Sequence, residues 1–141
     1  MANNTTRMMR IKIIIERTEE SFWAYSENIQ GINGVGNTAN EVKQSVLDCI
    51  EIQKGLGNFK MAIANNYVVV FKFDTKSILE YYNKIFTNVV FERITGISPI
   101  QMTYYQMGLK KFTQVQVKKM ELAFHKLGAE LIAVELKECS F

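Results

Sequence analysis

Residues 87–112 read TNVVFERITGISPIQMTYYQMGLKKF, and the order of cap residues within them sets two short helices at a tight corner. Gly96 sits at the corner and Ser98 stands where an N-cap hydroxyl belongs. Pro99 takes the first helical position, where its missing N–H costs nothing, and Gly108 stops the second helix. This is the spacing of a helix-turn-helix, whose second helix lies in a DNA major groove. From Arg93 to Met120 the basic residues are Arg93, Lys110, Lys111, Lys118 and Lys119, and neither Asp nor Glu occurs. A phosphate backbone tolerates such a face. Many helix-turn-helix units carry a small Ala four residues before the corner glycine, so that the helices approach closely. Here that position is Glu92, so either the turn holds an extra residue or Glu92 points outward. The same pattern also describes a plain αα-hairpin.

If the second helix reads DNA, its start and outer face carry the contacts. These are Ser98, Ile100, Gln101, Thr103 and Tyr104, while Met102 and Tyr105 pack inward. Ser98 and Thr103 have hydroxyls for phosphates or base edges, Gln101 pairs with adenine, and Ile100 meets a thymine methyl. Lys110 and Lys111, just past Gly108, hold phosphate, and Asn88 at the start of the first helix is a further phosphate contact.

Working outward toward the C-terminus, Thr113 begins a longer helix with Val117, Met120, Phe124 and Leu127 as its apolar stripe and Gly128 as its C-cap. Ala129 to Leu136, AELIAVEL, alternates and reads as a strand. A strand without a partner in its own chain must pair elsewhere. The expectation is a homodimer through Leu131, Ile132, Val134 and Leu136.

Upstream, residues 1–6 are polar and read as frayed. Met9, Ile11, Ile13 and Ile15 alternate as a half-buried strand, and Thr18 to Glu20 make a turn. A second strand over Ser21 to Glu27 puts Phe22, Ala24 and Ser26 on one face and Trp23 and Tyr25 on the other. GINGVGNT, from Gly31, allows a short third strand; it matches neither the P-loop nor the dinucleotide fingerprint. Thr38 and Glu41 form a capping box for a helix with Val42, Val46, Cys49 and Ile50 along one stripe, closed by Gly55 and Gly57. After a loop over 60–66, YVVVFKFD from Tyr67 is the clearest strand. Asp74 or Thr75 then caps a helix over 76–84 with Ile78, Leu79, Tyr82 and Ile85 facing inward.

The expected class is α+β, with a small N-terminal sheet and one helix in the order β-β-β-α-β over 1–73. An all-helical helix-turn-helix domain with a C-terminal dimerisation strand covers 74–141. A hydrophobic content of 48% with 22% charged residues excludes a disordered chain, and a net charge of +3 is too mild to name a partner by itself. No secretory signal or membrane-length apolar run is read. Cys49 and Cys139 lack metal or redox spacing, so the expectation is a cytoplasmic protein without disulfides, bound metal or cofactor. His125 is the only histidine and has no nucleophile at a suggestive spacing. No catalytic residue is assigned, although the carboxylates of the first part leave a nuclease as a rival reading.

The two halves in this order resemble the HicB-type antitoxins. Trp23, Ala24, Tyr25, Gly31, Gly36, Asn37, Thr38 and Glu41 match that family's pattern as they stand. Gln30 replaces its usual Pro, and Ile32 its usual Cys or Val. FERITGIS onward is similar to the helix-turn-helix that some HicB-like proteins append. The resemblance implies a partial RNase H-like fold without nuclease carboxylates. It implies an antitoxin that masks a small HicA-type mRNA-cleaving toxin through its N-terminal domain and represses the shared promoter on double-stranded DNA. The alternative is a stand-alone dimeric repressor without a toxin.

Overall fold

A computed structural model of the protein describes residues 8–59 and 66–139; the expected frayed start and most of the expected loop over 60–66 lie outside them. The fold is mixed α+β. Two compact units divide between Tyr81 and Tyr82.

In the first unit, β1 (Met9–Arg17), β2 (Phe22–Ser26) and β3 (Asn33–Gly36) precede α1 (Ala39–Gly55), and β4 (Tyr67–Phe73) follows it. The order in space is β3-β2-β1-β4. β1 therefore lies inside the sheet, antiparallel to β2 and parallel to β4. Strand alternation explains the core. Ile11, Ile13 and Ile15 on β1 and Ala24 on β2 are buried against Val42, Val46 and Ile50 of α1. Each fully buried Ile or Val contributes roughly 1.5–3 kcal/mol. Cys49, expected in the same stripe, is only half-buried, with its thiol toward the Gly31 carbonyl at 3.6 Å.

Two glycines of GINGVGNT have a packing role. A Cβ on Gly34 would stand 2.6 Å from Val46 Cγ2, and one on Gly36 would run into the backbone of Val42. Without side chains at these two positions, α1 lies directly on β3. Thr38 Oγ1 accepts from the Glu41 N–H at 3.1 Å. The Glu41 carboxylate reaches back one residue further than expected, accepting from Asn37 N–H at 2.8 Å. The helix ends in a Schellman arrangement, with Gly57 N–H donating to the Lys54 carbonyl and Asn58 N–H to that of Gln53.

The unit division falls inside α2 (Thr75–Ile85). Asp74 caps this helix, its carboxylate accepting from Ser77 N–H at 2.9 Å. Leu79 is buried as expected, but Ile85 is exposed.

The second unit contains α3 (Asn88–Thr95), α4 (Pro99–Gln106) and α5 (Gln114–Ile132). Phe91, Ile97, Met102, Tyr105 and Met120 are buried. Tyr105 stacks on Phe112 with ring centres 3.9 Å apart. The expected strand over Ala129 to Leu136 is not formed: α5 runs through Gly128 to Ile132, and 134–138 have no regular structure. Gly128 does not adopt the positive φ of a C-cap. Ala, Glu and Leu are strong helix formers, and continuing the helix through Gly128 costs only about 1 kcal/mol relative to Ala. Alternation over so few residues is a weaker signal than this propensity.

Candidate nucleic-acid interface

The corner between α3 and α4 is built from local bonds. Gly96 takes a left-handed φ of 74°, and its N–H donates to the Glu92 carbonyl. The buried Thr95 hydroxyl donates to the Phe91 carbonyl at 2.8 Å and accepts from Ile97 N–H at 3.1 Å, so both hydrogen-bonding roles of that hydroxyl are filled within the turn. Glu92 is exposed and points outward. Ser98 Oγ accepts from Gln101 N–H at 3.2 Å while Gln101 Oε1 accepts from Ser98 N–H at 3.0 Å. Pro99 follows at the first helical position. Past the last turn, Leu109 N–H donates to the Tyr104 carbonyl and Gly108 N–H to that of Tyr105, with Gly108 at φ 74°.

These caps orient the face of α4. Met102 and Tyr105, one turn apart, are buried and anchor the helix. Ile100 is 67% exposed and Tyr104 39% exposed, and Thr103 between them is exposed too. Lys110 lies over the Tyr104 ring at 5.4 Å from its centre, so the cation and the aromatic share one patch. Lys111 and Asn88 are exposed. Lys118 is paired with Glu121 at 3.1 Å and adds less positive field than its place in the sequence implies.

Three of the expected readers are altered by their own hydrogen bonds. Gln101 Oε1 is committed to the cap, so a two-point pairing with adenine requires opening the capping box. Ser98 Oγ accepts within that same box. Thr103 Oγ1 donates to the Pro99 carbonyl at 3.0 Å and faces outward as an acceptor, which suits a base amino group and not a phosphate. Ile100, Tyr104, Lys110 and Lys111 are left as outward contacts, with Thr103 beside them as an acceptor.

Leu131, Ile132, Val134 and Leu136 stand at the end of α5 and beyond it, all exposed; Ile132 is at 87% and Leu136 at 89%. They form an apolar end and not a pairing edge. Among the described residues no three of His, Cys, Asp and Glu come together as a metal set would. None of the described helices is long and apolar enough to cross a membrane.

Alternation along FWAYS separates the two faces of β2 but carries no sign of a role for the outer one. Trp23, Tyr25 and the Val35 side chain of β3 are all exposed on the side of the sheet away from α1. Comparison with known protein families, curated proteins and solved structures finds no match for this chain. The class defined by its fold is therefore an α+β protein with a helical unit that presents a capped, acid-free helix face.

Proposed function

We propose that this chain is the antitoxin of a HicA/HicB-type pair: a dimeric cytoplasmic repressor that binds its operator through α3 and α4 and masks a small mRNA-cleaving toxin with its first unit. The observation that carries the reading is the outward face of α4. Ile100, Thr103 and Tyr104 are presented to solvent, held by Met102 and Tyr105 beneath, with Lys110 and Lys111 in the segment just past the end of that helix. A helix of this kind, following a tight glycine corner and free of carboxylates on its own sequence, fits a major groove. The matching residues from Trp23 to Glu41, in a sheet with α1 on one face, support a partial RNase H-like first unit and hence the toxin partner.

Two copies joined through Leu131, Ile132, Val134 and Leu136 would place two α4 helices on successive half-sites of a symmetric operator. A stand-alone dimeric repressor is the second reading, favoured by Gln30 where the family pattern has Pro. Purification from the native cytoplasm distinguishes the two. Bound operator DNA together with a small basic polypeptide supports the antitoxin, DNA alone supports the stand-alone repressor, and neither overturns both.

A further inference from the structure

The outer face of the sheet is divided by charge. Its β2 and β3 side presents Trp23 at 58% exposure, Tyr25 at 43% and Val35 at 52%, with Trp23 opposite both Glu16 and Val35 in the strand register. A shallow hollow beside them is lined by Glu16, Trp23, Tyr25 and Val35, and one across β3 by Glu41 and Asp48. Neither is lined by a Lys or an Arg. Burial first, and then the charges of Glu16, Asp74 and Glu27, push the Tyr25 phenol above its ordinary range. The cations of this face, Arg10, Lys12 and Lys72, belong to β1 and β4, and none lines either hollow.

The free edge of β3 does not invite another strand. Val35 N–H donates to Ser45 Oγ at 3.1 Å and Asn37 N–H to the Glu41 carboxylate at 2.8 Å, so α1 already occupies those donors. A partner must engage side chains. Exposed aromatic rings beside the Glu16 carboxylate, with the charges of Glu27 and Asp74 also reaching Tyr25, match guanidinium and ammonium groups, through cation–π contact and ion pairing together.

We infer that the outer face around Trp23, Tyr25 and Glu16 is a docking surface for an arginine- or lysine-bearing segment of a basic partner protein. It rests on the antitoxin reading in that the partner is the masked toxin, and it names the surface that holds it.

Trp23 is the single tryptophan of the chain, so its fluorescence reports on this face alone. The full-length protein is titrated with a tryptophan-free arginine-rich peptide and, separately, with a single-stranded oligonucleotide. The expected result is a saturable change in Trp23 emission with the peptide. Either Tyr25→Ala or Glu16→Gln weakens it at least about tenfold, as loss of a central aromatic or charged anchor does. Both side chains stand on the outer face, and far-UV circular dichroism verifies that each variant folds. Unchanged emission, equal affinity in both variants, or binding of the oligonucleotide in place of the peptide with loss in Lys12→Ala overturns the inference.

The small polypeptide that co-purifies with the wild-type protein gives the second arm. Its loss from the Trp23→Ala, Tyr25→Ala double variant supports the surface; its retention overturns the surface and leaves the antitoxin reading standing. If no polypeptide accompanies the wild type, the antitoxin reading fails and the peptide titration decides the surface by itself.

Discussion

Gly36 lies against the backbone of Val42 so closely that no Cβ fits between them. This contact sets the distance of α1 from the sheet, and with it the burial of Val42 and Val46. Gly36→Ala is expected to lower the stability of the first unit by about 2–3 kcal/mol, since the neighbour is backbone and cannot rotate away. Urea denaturation followed by circular dichroism measures the shift in midpoint. Gly55→Ala serves as the control: nothing stands near its Cβ position, so it is expected to leave stability unchanged or slightly raised.

Lys110→Ala with Lys111→Ala is expected to weaken binding to every DNA sequence alike and to flatten the salt dependence. Each phosphate contact contributes a slope of roughly 0.9 in log K against log salt, so losing both lowers the slope by up to about 2. Fluorescence anisotropy at several salt concentrations gives the slope directly. An unchanged slope removes both lysines from the interface.

Ile132→Glu with Leu136→Glu places charges on two side chains that solvent already reaches, so folding of the second unit is expected to persist. If these residues join two copies, sedimentation velocity shows monomers where the wild type sediments as a dimer. A dimer of undiminished strength moves the interface elsewhere.

The Tyr67 hydroxyl donates to Glu51 at 2.8 Å. That hydrogen bond first, and Lys54 second, hold the Glu51 carboxyl below its ordinary value. A carboxyl depressed in the folded state stabilises the fold above its unfolded pKa, and this contribution is lost as pH falls through the folded pKa. Tyr67→Phe is expected to bring the Glu51 titration back toward the ordinary range of a glutamate, read by NMR on the side-chain carboxyl carbon. A titration unmoved by the substitution would show Lys54 to be the larger cause.

The cap residues are readable from the order of amino acids because they act locally. Thr38, Ser98, Thr113, Gly96 and Gly108 each bond groups within about one turn, so spacing alone locates them, and it narrows the cap of α2 to Asp74 or Thr75, of which the structure selects Asp74. Alternation in MRIKIIIER likewise separates Ile11, Ile13 and Ile15 from the outer face. Residues 129–132 mislead because short apolar alternation and a helical stripe share the same letters, and the residues' intrinsic helix preference prevails. The candidate readers are legible as a set but not as individuals. Whether Gln101 is available to a base depends on whether its own helix cap takes its oxygen, and spacing does not reveal which partner a side chain prefers.

Sequence by itself determined where the helices begin and turn and which side chains of each strand share a face, since these follow from contacts a few residues apart. Only the tertiary structure decided that β1 lies between β2 and β4, that Gly34 and Gly36 serve the approach of α1, and that Trp23 and Tyr25 stay uncovered. Those outcomes depend on segments far apart in the chain meeting in space, where burial and close packing settle the arrangement and local preference has no say.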